Sequence, residues 1–178
     1  MNDTSTTAAL DWPAEIFAEF REQRVVQVAH VPDAGHTRLL RRCEAADDMR
    51  VITLSTEEEG VALTAGAWLG GQRSALLMQS SGVGNCINML SLTATCRFPL
   101  LLLVTMRGQY GEFNPWQVPM GQATPAVLRE MGVLVFEVDE AARVRETVHA
   151  AADMAFNGPA AAAVLLSQRL IGAKSFAK

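Results

Sequence analysis

VITLSTEEEGVALTAGAWLGGQRSALLMQSSGVGNCINML, residues 51–90, decides the fold. It opens on a short apolar run, 51–54, of strand length, closed by Ser55 and Thr56. Glu57, Glu58 and Glu59 follow, and acids favour a helix N-terminus through the macrodipole. Small and apolar residues then run to Leu69, and Gly70-Gly71 stops them, as glycine commonly stops a helix. A second apolar run, 75–79, a turn at SSGVGN and a helix over 84–95 complete the stretch. Strand–helix–strand–helix is the βαβ pattern, whose right-handed crossover makes the strands parallel. Ligands of such sheets bind outside the carboxyl ends of the strands. The three glutamates stand at that edge, where a strand gives way to a helix.

The alternation continues in both directions. Upstream, a helix is expected over 13–23, with Asp11 as its cap and Ile16, Phe17 and Phe20 at helical spacing. A strand over 25–31, a Pro-Asp-Ala-Gly turn at 32–35 and a helix over 37–46 follow. Downstream come a strand over 99–105, a long loop over 107–122, and a helix over 125–131. A strand over 133–138, a helix over 140–156 and a strand over 161–167 end the pattern. The strands are continuous apolar runs, as when both faces of a sheet are covered. The expected fold is α/β: a doubly wound, mostly parallel six-stranded sheet with helices on both faces. Residues 11–170 form its single domain, between tails at 1–10 and 171–178.

The bulk composition narrows the function. The 178 residues are 49% hydrophobic and 19% charged, with a net charge of −4. So few charges suit a surface partly covered by another chain. Without a basic block the chain is not expected to bind nucleic acid. Cys43, Cys86 and Cys96 are odd in number and form no CxxC pair, which argues against a disulfide framework or a zinc site and for a cytoplasmic setting. No apolar run reaches membrane-spanning length.

Among the polar residues, Thr56 with Glu59, or Ser55 with Glu58, reads as a capping box, which accounts for Glu58 and Glu59. Glu57 has no such explanation and is the candidate for chemistry. The turn from Ser80 to Asn85 follows a strand and opens a helix, so it is placed to meet a ligand. It is no dinucleotide fingerprint, because Ile87 stands where the third glycine belongs. His30 and His36 reach the same edge, whereas His149 falls mid-helix. Trp116 in the long loop suits a lid or an interface.

These pieces, VPDAG at 31–35, EEEGVALTAG at 57–66, LLMQSSGVGN at 76–85 and RG with NPWQVPMGQATP at 107–125, resemble in order the pyrimidine-binding half of thiamine-diphosphate decarboxylases, in particular those acting on sulfopyruvate and phosphonopyruvate. The resemblance implies that Glu57 is the catalytic acid that hydrogen-bonds the cofactor's aminopyrimidine ring and favours its reactive imino form. It places Gly82, Val83 and Asn85 beside that ring, and His36, Gln79, Arg107 and Gln117 toward the substrate. A cation such as Arg107 suits a dianionic acid. Phosphonopyruvate members carry a histidine where Gln117 stands, which points toward the sulfonate branch. The family's GDG motif for Mg²⁺ and diphosphate is missing from this chain. The implied protein is the α subunit of a two-chain enzyme. It converts 3-sulfopyruvate to sulfoacetaldehyde and carbon dioxide, and a β subunit brings the diphosphate-binding domain and its Mg²⁺ in a hetero-oligomer of αβ units. The competing expectations are a phosphonopyruvate or other 2-oxo acid decarboxylase subunit, and a non-catalytic ligand-binding or assembly module of the same fold.

Overall fold

The computed structural model describes residues 10–172. Six strands, β1 (Val25–His30), β2 (Arg50–Thr53), β3 (Arg73–Gln79), β4 (Leu100–Thr105), β5 (Leu134–Val138) and β6 (Ala161–Leu166), form one sheet in the order β2-β1-β3-β4-β6-β5. Every neighbouring pair is parallel. The helices are α1 (Trp12–Glu22), α2 (Thr37–Glu44), α3 (Glu57–Leu69), α4 (Ser80–Cys96), α5 (Val118–Glu130), α6 (Val144–Phe156) and the short α7 (Gln168–Ile171). None of the described helices is long and apolar enough to cross a membrane.

Strand order and crossover handedness together sort the helices. The steps β1 to β2 and β5 to β6 travel one way across the sheet; the other three travel the opposite way. With right-handed crossovers, α2 and α6 fall on one face and α3, α4 and α5 on the other. The two cores have this composition. One joins Ile16 and Phe20 of α1, Leu39 of α2 and Val148 of α6 to the sheet; the other joins Val61 of α3, Leu90 of α4 and Leu128 of α5 to its reverse. β4 serves both, with Leu101 and Leu103 in the first core and Leu100, Leu102 and Val104 in the second. Truncating one of these leucines to alanine costs about 2–5 kcal/mol.

The sequence placed most elements correctly and three helix starts wrongly. α4 begins at Ser80, not at residue 84. Gly82 and Gly84 are not among the glycines with positive φ, so they sit in the first turns of the helix instead of forming a turn before it. Their missing side chains serve close approach instead. α5 begins at Val118, not at residue 125. Pro119 occupies its first turn, where a proline's missing N–H costs nothing, and Pro125 lies inside the helix. The long loop is therefore shorter than expected and ends in a 3-10 turn at Pro115–Gln117. α6 begins at Val144, not at residue 140, after a second 3-10 turn at Ala141–Arg143. The expected tails lie outside the described residues except for Leu10, Ile171 and Gly172, and Ile171 closes α7.

Candidate active site

The chain leaves β1 for β2 on one side and passes from β3 to β4 on the other, so a crevice opens at the carboxyl ends of β1 and β3. His30, Asp33 and His36 come to it from β1 and its loop; Gln79 and Ser80 come from β3. Both α3 and α4 start at this edge and pack against each other.

Glu57, first residue of α3, is 8% exposed. Asn85 Nδ2 donates to its Oε2 at 2.8 Å. On the other side lies Gly82, where a Cβ would come within 2.5 Å of the Glu57 carboxyl carbon. Three expected residues, Glu57, Gly82 and Asn85, thus meet across the α3–α4 seam. Val83 takes a different place: its side chain is buried in the core with Cys86 and Leu90. The Cys86 thiol is pushed up to about 12 by burial first and then by the charges of Glu57 and Glu58, so it stays protonated. Neither expected capping box forms. Thr56 makes no side-chain cap, while Glu59 Oε2 accepts the Ser55 N–H at 2.8 Å. Asp11 likewise makes no cap; its carboxylate accepts from Arg38 and Arg42.

The residues expected on the substrate side are placed in several ways. Gln79 lies partly exposed at the end of β3; its Oε1 accepts from Arg107 Nη1 at 3.1 Å, and its Nε2 donates to Ser81 Oγ at 2.8 Å. Arg107 follows β4, and its guanidinium forms a two-point pair with Glu112. Gln117 ends the 3-10 turn, and its buried Oε1 has no hydrogen-bond partner among the described residues. His36 is 1% exposed, with Nε2 within 3.3 Å of the Met78 carbonyl and 3.2 Å of the Leu103 carbonyl. Carbonyls only accept, so Nε2 carries the proton and the buried, unpartnered Nδ1 does not. Burial lowers the His36 pKa, which keeps the ring neutral. It pins the loop after β1 to the sheet. His30 is similarly buried, within 3.2 Å of Thr53 Oγ1, and its pKa is lowered by burial. Trp116 is 71% exposed, on the turn that leads into α5.

The sequence reading passed over Glu112. Its pKa is lowered to about 2, chiefly by the Arg107 hydrogen bonds. Asp33, which accepts from Thr105 Oγ1, was read only as part of a turn. Asp33 holds a hydroxyl 72 residues away, which no local pattern marks. Glu112 bonds mostly within its own loop, to Arg107, Gly108 and Asn114, and no helix or strand periodicity marks a pairing inside a loop.

No family model matches the chain. It is 32% identical over 158 residues to the sulfopyruvate decarboxylase subunit alpha of Methanothermobacter thermautotrophicus, covering 88% of this chain and 96% of that one. It is 34% identical over 140 residues to the protein of the same name from Methanococcus maripaludis, covering 78% and 84%. A phosphonopyruvate decarboxylase of Streptomyces viridochromogenes is 37% identical over 117 residues, 65% of this chain and 30% of that longer one. Among solved structures, the 2-oxoglutarate:ferredoxin oxidoreductase of Magnetococcus marinus shares the fold. The TM-score is 0.71 at 13% identity, over 90% of this chain and 29% of that one. With more than 30% identity over more than three quarters of this chain and of two such subunits, the chain belongs to the sulfopyruvate decarboxylase subunit alpha family.

Proposed function

We propose that the chain is the α subunit of a thiamine-diphosphate-dependent 2-oxo acid decarboxylase, converting 3-sulfopyruvate to sulfoacetaldehyde and carbon dioxide together with a β subunit. The observation that carries this reading is Glu57, a nearly buried carboxylate held by Asn85 on one oxygen and facing a glycine on the other side. That arrangement fits a flat ring whose nitrogen shares a proton with the acid. Thiamine diphosphate, when bound, supplies the electron sink that decarboxylation of a 2-oxo acid requires. Glu57 would hold or release the proton at the ring nitrogen, and Asn85 would orient its carboxyl. Val61 of α3 and Val83 of α4, both buried beside the seam, keep water from the acid's inner side. Gln79, with one amide hydrogen left after Ser81, and Arg107, with N–H groups left after Glu112 and Gln79, would meet the substrate's acid groups. Mg²⁺ and the diphosphate would be held by the β subunit.

The surface around Glu57 supports a partner. α4 carries no charged residue from Ser80 to Cys96, and it exposes Ile87 and Leu92. The adjoining α3 exposes Ala62 and Gly66, and Leu69 to 86%. By contrast α2 and α6 carry Arg38, Arg42, Arg145 and His149, all in ion pairs. Beyond Glu58 and Glu59 in the first turn of α3, this is an uncharged, small-residue face, which is what an interface core looks like.

The test is co-production with a β chain carrying the GDG motif and assay of carbon dioxide release from 3-sulfopyruvate and from phosphonopyruvate. Glu57→Gln in that complex is expected to lower kcat by about 10²–10⁴-fold with an unchanged melting temperature. Full activity in the variant removes the assignment. Faster turnover of phosphonopyruvate moves the substrate to the reading that the Streptomyces relative favours.

A further inference from the structure

The loop after β4 is organised around a buried acid that the proposed chemistry does not touch. The Glu112 side chain is 3% exposed. It accepts from Arg107 Nε at 2.6 Å and from Arg107 Nη2, from the backbone N–H of Gly108 at 3.2 Å and of Asn114 at 2.9 Å, and from Gln168 Nε2 at 3.0 Å. A carboxylate satisfied on every side, with a forked guanidinium as its main partner, is a rigid anchor.

Arg107 is the piece it anchors. The Arg107 side chain is 12% exposed. Its backbone N–H donates to Ser80 Oγ at 3.1 Å, and its carbonyl carbon would lie 2.7 Å from a Cβ at Gly121, so α5 closes on it from behind. The remaining arm, Nη1, reaches Gln79, and Gln79 reaches Ser81. Ser81 is followed by Gly82, against which Glu57 rests. A continuous set of hydrogen bonds therefore runs from Glu112 to the first turn of α4.

We infer that Glu112 is a positioning residue of this site: acting through Arg107, it holds Gln79 and the first turn of α4 in register with Glu57. The inference rests on the decarboxylase reading for its consequence on turnover, but not for its consequence on structure. The pair also sets the charge that a substrate meets. Arg107 presents directed N–H groups whose positive charge Glu112 offsets, so an acidic 2-oxo acid is oriented without being gripped. Replacing Glu112 by glutamine leaves a bare guanidinium beside the crevice. Attraction for the dianion then rises while the alignment relaxes.

The experiment compares the α/β complex carrying Glu112→Gln, Arg107→Met or both with the unaltered complex. Glu137→Gln serves as the control, since it breaks an ion pair with Arg129 on an exposed surface. In Glu112→Gln, kcat is expected to fall by roughly 10–10²-fold while KM for the 2-oxo acid falls instead of rising. The double variant should turn over no more slowly than Arg107→Met alone, because Glu112 acts through that residue. Hydrogen–deuterium exchange on the same complexes reads the structural link without any turnover. Exchange should quicken both in 108–114 and in 80–85. Exchange confined to 108–114, or kcat within about twofold of the unaltered complex, overturns the inference. An unaltered complex that releases no carbon dioxide, yet whose variants show the spread of exchange, overturns the decarboxylase reading and leaves this one standing. Should Glu112→Gln fail to fold, Arg107→Gln must show the same spread to 80–85, and its failure to do so counts against the proposal.

Discussion

The absence of a side chain at residue 82 is as consequential as the carboxylate it faces. Alanine there would gain about 1 kcal/mol of helix propensity over glycine. Its methyl would come within 2.5 Å of both the Glu57 carboxyl carbon and Cγ, so the nearly buried side chain must shift and its Asn85 hydrogen bond breaks. That loss, about 1–3 kcal/mol, matches or exceeds the gain in propensity. Gly82→Ala is expected to melt at or below the temperature of the parent chain, while the complex loses at least about tenfold in kcat as Glu57 leaves Asn85. Thermal melts beside steady-state assays check both halves, and a variant of full activity would show that the acid does not depend on that space. Glu57 stands out in the sequence because the expected capping boxes leave it unexplained, and the Ser80–Asn85 segment because it follows a strand and opens a helix; Gly82 and Asn85 individually come from the family resemblance. Nothing in the sequence hints at Glu112, a loop acid whose meaning comes from its two-point pair with Arg107 and from Gln168 at the start of α7.

At the scale of elements, α1 and α6 are joined by a titratable contact. His149 Nδ1 lies 2.8 Å from Glu19 Oε1, and Glu19 is buried where its helix meets α6. Gln23, Arg145 and Glu22 surround the pair, and Asp153 lies near His149 on α6. The Glu19 hydrogen bond and charge raise the His149 pKa above its ordinary 6.5. A group whose pKa is raised by folding contributes its stability fully below the unfolded value and loses it as pH climbs through the folded one. The difference in urea midpoint between the parent chain and His149→Ala should thus be widest below about 6.5 and shrink as the solution becomes alkaline. The imidazole is half exposed, so the effect is modest and weakened by salt. Burial lowers the pKa of His30 and His36, so their protonation destabilises the fold at acid pH, a trend common to both chains that cancels in the comparison. Elements themselves were largely legible, since buried parallel strands read as unbroken apolar runs such as Leu100–Thr105. The starts of α4 and α5 were not, because Gly82, Gly84 and Pro125 carry turn signals that tertiary contacts override.

For the molecule as a whole, the strand order could not be read from local pattern, because each connection is compatible with a step to either side of the sheet. The low share of charge has its counterpart in α4, which carries no charged residue and forms the proposed partner face with α3. Leu92 lies exposed on it. Leu92→Glu should leave the melting of the isolated α chain within about 0.5 kcal/mol of the parent, as exposed substitutions usually do. The same change should abolish its co-elution with the β chain, since a buried unpaired charge costs several kcal/mol. Undiminished complex formation would send the search for the interface to another face. The proposed seam would also make catalysis answer to mass action. Two proteins that each bring part of a reaction centre work only while they stay together, so dilution below their dissociation constant is by itself an off-switch, and a cell that makes one in surplus gains nothing from the excess.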